Sequence, residues 1–113
     1  MASIEDFKKL EFKVAQIKEV TDHPNADRLY VLKVSLGVGP EGQSIDRQLV
    51  AGIRSSYPDK EKLIGRRVVI VANLDPAVIR GVESQGMVLA ASDELGAAVL
   101  SPERDVALGS IVK

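Results

Sequence analysis

Hydrophobic side chains recur along the chain with two different periods. Over Ser3–Leu10 they fall three apart, at Ile4, Phe7 and Leu10, which predicts one or two helical turns docked by one face. Ser3 precedes that face with Asp6 three residues on, the pattern of a reciprocal N-terminal cap. From Phe12 onward the period is two. Phe12, Val14 and Val20 alternate with charged residues while Ala15 and Ile17 break the phase, which predicts a strand with a bulge or strong coil. Leu29–Leu36 and Ile45–Ala51 predict a second and a third strand. Arg67–Ala72 is a β-branched run suited to burial on both faces, and Gly86–Ala91 supplies a fifth strand. Shorter extended pieces follow at Ala98–Leu100 and Ser110–Val112. Between them lie a turn over Asp22–Asp27, a loop over Gly37–Gly42, and a short helix over Ser56–Gly65 closed by its glycine.

Five main strands with a short helix between the third and fourth is the order of an all-β, five-stranded OB-fold barrel. An immunoglobulin-like sandwich needs more strands and no helix there. The 113 residues suit one domain over 1–113, with residues 1–10 as an N-terminal helical turn and about 93–113 as a C-terminal extension. Without cysteine the chain has no disulfide, no thiolate chemistry and no sulfur-ligated zinc. No apolar run approaches the roughly 20 residues that span a bilayer, and the N-terminus is acidic where a secretory signal would be basic. The expectation is a cytoplasmic protein without a membrane partner.

The formal charge of −1 conceals a local pattern. Residues 1–27 carry a net −2, residues 28–80 a net +4 and residues 81–113 a net −3. A basic middle between acidic ends permits a one-sided positive surface for a polyanion, although ordinary scatter over a solvated surface produces such an excess too.

Enzyme signatures are absent. The one histidine, His23, stands before a proline in a polar turn, where a surface position is the plain expectation, and no sequence feature sets a serine and an acid beside it. Gly37–Gly42 has a G-x-G spacing, but Pro40 and Glu41 follow and no helix opens after it, so it reads as a hairpin loop and not a phosphate cradle. No acidic spacing matches a calcium loop. The chain is expected to be no enzyme and to hold no metal and no cofactor.

Two stretches carry more information: His23-Pro24-Asn25-Ala26-Asp27-Arg28-Leu29-Tyr30-Val31, and the long run from Asn73 to Met87. In an OB barrel the connection between strands four and five belongs to the usual ligand-binding rim. Here it holds Arg80, Ser84 and Gln85, which can donate to phosphate or sugar, with Gly81 and Gly86 allowing close backbone approach and Met87 as a soft apolar surface. The same groups serve equally well as a tight glycine-bounded turn that satisfies its own backbone.

Together with Arg47-Gln48-Leu49-Val50-Ala51-Gly52-Ile53 between them, the two stretches resemble the OB-fold tRNA-binding domain of methionyl- and tyrosyl-tRNA synthetases, which also occurs free-standing. The resemblance runs from Ile4 to about Val112. A related bacterial secretion chaperone shares the fold, but the His-Pro-Asn-Ala-Asp turn and the Ser84-Gln85-Gly86-Met87 run are closer to the tRNA binders. The resemblance implies structure-specific tRNA binding at the outer corner of the L-shaped molecule, without catalysis, by a free-standing protein or a synthetase beta subunit. The chain ends shortly after the barrel, which is the basis of that last expectation. A chaperone-like or protein-interaction dimer is the alternative.

Residue by residue, the resemblance assigns RNA contact to Asn25, Arg80, Ser84, Gln85 and Met87. Lys33 and Arg47 join them on the premise that strands two and three form one face, where a solvated sheet surface is the plainer reading. Arg28 keeps the charge of the lysine usual in the family. The implied partners are tRNA, a second copy joined through roughly Asp93–Lys113, and an aminoacyl-tRNA synthetase. Asp75 and Val78 stand where family members often carry lysine. With each phosphate-binding cation removed, the log–log salt slope falls by about one, so weaker RNA binding is expected here.

Overall fold

The computed structural model describes residues 1–113. Helix α1 (Ile4–Lys8) starts as its sequence predicts: the Ser3 hydroxyl accepts from the Asp6 amide, and the Asp6 carboxylate accepts from the Ser3 amide. Phe7 stacks on Phe12 with ring centroids 5.2 Å apart and so docks the helix on the first strand. The strands are β1 (Phe12–Asp22), β2 (Tyr30–Val38), β3 (Ser44–Ala51), β4 (Arg67–Val71), β5 (Ala77–Ile79), β6 (Val82–Ser84), β7 (Met87–Val88), β8 (Ala90–Asp93), β9 (Gly96–Val99) and β10 (Ile111–Val112).

The main sheet runs β3-β2-β1-β4-β7, all antiparallel, with β10 added to β1. This is the curled sheet of an OB-fold. The predicted phase break lies in β1: its register against β2 shifts between Ile17 and Glu19, and Lys18 is the extra residue. The shift lets Ile17 and Val20, an odd interval apart, both enter the core. Along β2 the alternation is regular, with Tyr30, Leu32, Val34 and Leu36 facing Leu49, Ala51, Val68, Ile70 and Val88 inside the barrel. Each aliphatic side chain buried there contributes roughly 1.5–3 kcal/mol.

β4 is buried on both faces, as its unbroken Val-Val-Ile-Val run predicts. Leu89 and Leu100 bind its outer positions, the Leu89 amide donating to the Val69 carbonyl and the Val69 amide to Leu100. The C-terminal extension then turns back on its own barrel. Arg67 Nε donates to the Val106 carbonyl at 3.0 Å, the Gly109 amide donates to Val14, and β10 pairs Ile111 with Lys13.

Two local predictions are corrected. The expected helix over 56–65 is a pair of single 3-10 turns, Arg54–Ser56 and Lys60–Lys62, because Pro58 interrupts the segment and leaves Tyr57 in a non-helical conformation. The run between Asn73 and Met87 is no plain loop but contains the β5–β6 hairpin.

Candidate functional site

The hairpin organises everything around it. Its two-residue turn places both Arg80 (φ +52°) and Gly81 (φ +89°) in the left-handed region, the turn that matches the twist of flanking strands. Arginine is seldom found there, and its conformation is held by contacts with the other sequence motif. His23 Nδ1 accepts from the Asn25 amide at 3.0 Å, which leaves Nε2 as the protonated nitrogen, donating to the Ile79 carbonyl at 2.9 Å. Asn25 Nδ2 donates to the Arg80 carbonyl at 3.0 Å, and Arg80 Nη2 donates back to the Asn25 carbonyl at 3.1 Å. The two motifs are thus one clasp. His23 is 4% exposed, so the expected surface turn residue is instead the buried pin between turn and hairpin.

The hairpin's other arm closes the barrel. The Val50 amide donates to Ser84 Oγ, the Gln48 amide to Gln85 Oε1, and the Gln85 amide to the Gln48 carbonyl, all at 2.8–2.9 Å. Side chains of the Ser84-Gln85 pair therefore supply partners that a neighbouring strand would otherwise give to the edge of β3. Gly86 (φ +148°) lets this seam close, since a Cβ there would stand 2.7 Å from the Val71 carbonyl oxygen.

Three clefts surround the hairpin and divide the residues singled out by sequence. Lys33, Arg47 and Gln85 line one on the outer β2–β3 face, with Glu19 and Asp46. Lys33 pairs with Asp46 at 3.7 Å, and Arg47 Nη1 donates to the carbonyls of Ala72 and Gln85. Arg47 spans the seam between β3 and β4, so its guanidinium is largely spent on the protein itself.

Asn25 and Arg80 line a second cleft of about 440 Å³ at the barrel mouth, together with Arg28 and Asp27. Ser84 and Met87 line a third, apolar groove of about 410 Å³ with Val50, Ile53, Leu74 and Ile79. Ser84 is 3% exposed and its hydroxyl both accepts from Val50 and donates to Gly86, which leaves no free donor for a ligand. Met87 is half exposed. Three further residues join the site without a motif to mark their role: Gln48, whose Nε2 donates to the Glu83 carbonyl, and Arg54 and Lys60 beside the mouth. A count of local charge reaches those cations, but only the fold brings them next to Asp27.

No three His, Asp or Glu side chains gather in one place, and no helix is long and apolar enough to cross a membrane. Two carboxylates are held below the usual range, both by hydrogen bonds at the surface. Asp6 is lowered first by the Ser3 amide and then by Lys9, and Asp22 by the Lys60 ammonium with Arg54 adding its charge.

A family profile described as "Putative tRNA binding domain" matches residues 12–111. The chain is 51% identical over 111 residues to the methionine–tRNA ligase of Thermococcus kodakarensis, a match covering 98% of this chain and 14% of that protein. It thus spans about a seventh of the length of the curated relatives it matches. Among solved structures, a methionyl-tRNA-synthetase-related protein from Pyrococcus horikoshii superposes with a TM-score of 0.85 at 29% identity, covering 100% of this chain and 98% of that one. The CsaA chaperone protein of Picrophilus torridus superposes with a TM-score of 0.87 at 30% identity over the full length of both. The clasped pair of motifs on an OB barrel and these matches agree: the chain belongs to the tRNA-binding domain family.

Proposed function

We propose that the chain is a non-catalytic, cytoplasmic module that binds folded tRNA by its backbone and shape. The observation that carries this reading is the clasp, which joins the family's two motifs and sets Asn25 and Arg80 in one cleft with Arg28. Arginine and amide donors at such a rim suit phosphate and sugar groups, which report the shape of an RNA and not its sequence. The shortage of exposed aromatic platforms favours folded RNA over single strands, whose binders rely on base stacking. Ser84 and Gln85 act here as positioning residues, while Lys33 and Arg47 lie on the separate β2–β3 face and Met87 in the apolar groove. A synthetase partner accords with the identity to methionine–tRNA ligases. Pairing with a second copy is supported by the apolar side chains that the C-terminal extension leaves in solvent, with Leu95 at 95% and Ile111 at 60% exposure.

A gel-shift titration with folded tRNA, unfolded tRNA and single-stranded oligonucleotides tests the reading. Folded tRNA should bind tightest, and equal affinity for all three at physiological salt contradicts shape recognition. Sedimentation of the same samples tests the pairing.

One observation favours a second reading. The apolar groove beside Met87, together with the likeness to a chaperone protein, suits an unfolded peptide. Partners that stay bound in a pull-down after ribonuclease treatment would favour it.

A further inference from the structure

The barrel mouth holds a second pair of cations that the two motifs do not contain. Asp22, the last residue of β1, accepts from Lys60 Nζ at 2.9 Å and lies 3.4 Å from Arg54 Nη2. One carboxylate therefore serves two cations, all three side chains remain partly exposed, and Asp27 lines the same cleft. Both cations stand on ordered ground. The Arg54 guanidinium lies 5.8 Å from the centre of the Tyr30 ring, and the Tyr30 hydroxyl is tied to the Tyr57 carbonyl at 2.6 Å. Lys60 opens the 3-10 turn whose preceding residue, Asp59, accepts from the Glu61 amide.

The cleft that Arg54 and Lys60 line has about the same volume as the one holding Arg28 and Arg80, and Asp27 lines both. Four cations against Asp22 and Asp27 thus form one band across the mouth. The β2–β3 face, by contrast, sets Lys33 and Arg47 against Glu19 and Asp46 and is neutral.

We infer that Arg54 and Lys60, gathered by Asp22, are a second phosphate-contact site that continues the Arg28–Arg80 site, so that the mouth accepts successive phosphates of one RNA backbone. The inference rests on the RNA-binding reading above and extends its footprint. A polyanion fits better than a lone phosphate, because the two cation pairs line separate clefts and a single phosphate would engage only one of them. Asp22 sets the strength of the site by competing with the phosphate for both cations.

The salt dependence of binding to a folded tRNA transcript tests this, with wild-type protein, R54Q/K60Q and D22N compared by filter binding across a sodium chloride series. Loss of both cations should lower the magnitude of the log–log slope by about one to two and weaken binding several-fold at physiological salt. Asp22→Asn should do the reverse, steepening the slope and tightening binding, a change of sign that simple loss of fold cannot produce. Unchanged slopes in both variants, with R28Q/R80Q still flattening its own, overturn the second site and leave the RNA reading intact. Absence of salt-dependent binding in the wild type overturns both.

Discussion

The outer face of β2–β3 and the mouth of the barrel have similar charged residues in the sequence and different electrostatics in the fold. On the face, Lys33 is matched by Asp46 and Arg47 is drawn into the seam by the carbonyls of Ala72 and Gln85. At the mouth, Arg28 and Arg80 flank Asn25, and Arg54 and Lys60 share the single carboxylate of Asp22. What separates the two regions is charge balance, since cations in both make contacts within the chain. At the mouth four cations face Asp22 and Asp27, whereas the β2–β3 face sets two against Glu19 and Asp46. A cation in local excess can meet a phosphate while its carboxylate keeps another partner, whereas a matched pair must be broken first.

The contrast can be broken most directly at its centre. R28Q/R80Q should weaken binding of folded tRNA by about 10- to 100-fold, since each charge-assisted hydrogen bond is worth about 1.5–3 kcal/mol and part of it returns as water contacts. Fluorescence anisotropy at fixed salt reads this, and a change below threefold contradicts it. His23→Ala comes next. It leaves the Ile79 carbonyl and the Asn25 amide without partners and should lower stability by about 1–3 kcal/mol in urea unfolding. The same variant should loosen Arg80 and reduce affinity by up to about tenfold even where the protein is fully folded. Affinity equal to wild type under those conditions removes His23 from the account.

The face supplies the control. Lys33→Gln should change tRNA affinity by less than about threefold, as expected for an exposed lysine that already has an acid partner. A loss as large as that of the mouth variant would move the interface to the sheet. The smallest effect concerns acid. Asp22 has a folded pKa below its unfolded value of 3.8, so its contribution to stability is full above that pH and disappears as pH falls through the lowered value. The half-exposed carboxylate makes that contribution small. Asp22→Asn should lower stability slightly at pH 7, where that contribution is full, and converge with wild type as pH falls through the lowered value, as thermal melts across that range would record.

Much of the barrel was legible because its signals are local. The alternation of Tyr30, Leu32, Val34 and Leu36 marks a strand with one buried face, and the misplaced Ala15 and Ile17 mark the bulge. The cap of α1 is written in Ser3 and Asp6. The hairpin was hidden because its turn carries Arg-Gly, without the Asn-Gly or Asp-Gly that advertises a two-residue turn. Arg80 is held there by hydrogen bonds with Asn25, 55 residues away in the chain.

The burial of His23 escapes the local pattern for the same reason, since it depends on the hairpin strand that carries Ile79. The candidate site was legible in its residues and not in its grouping. Asn25 and Arg80 do meet, but Ser84 turns out to close the barrel, and Arg54 and Lys60 enter only because β1 delivers Asp22 between them.

Backbone amide chemical-shift mapping of the isotope-labelled protein during titration with folded tRNA tests the division between mouth and face most directly. The amides of Asn25–Leu29, Arg80–Gly81 and Arg54–Lys60 should move together and saturate at one equivalent, while those of Glu19, Lys33 and Asp46 stay near their free positions. Shifts confined to the β2–β3 face, with a silent mouth, would contradict it.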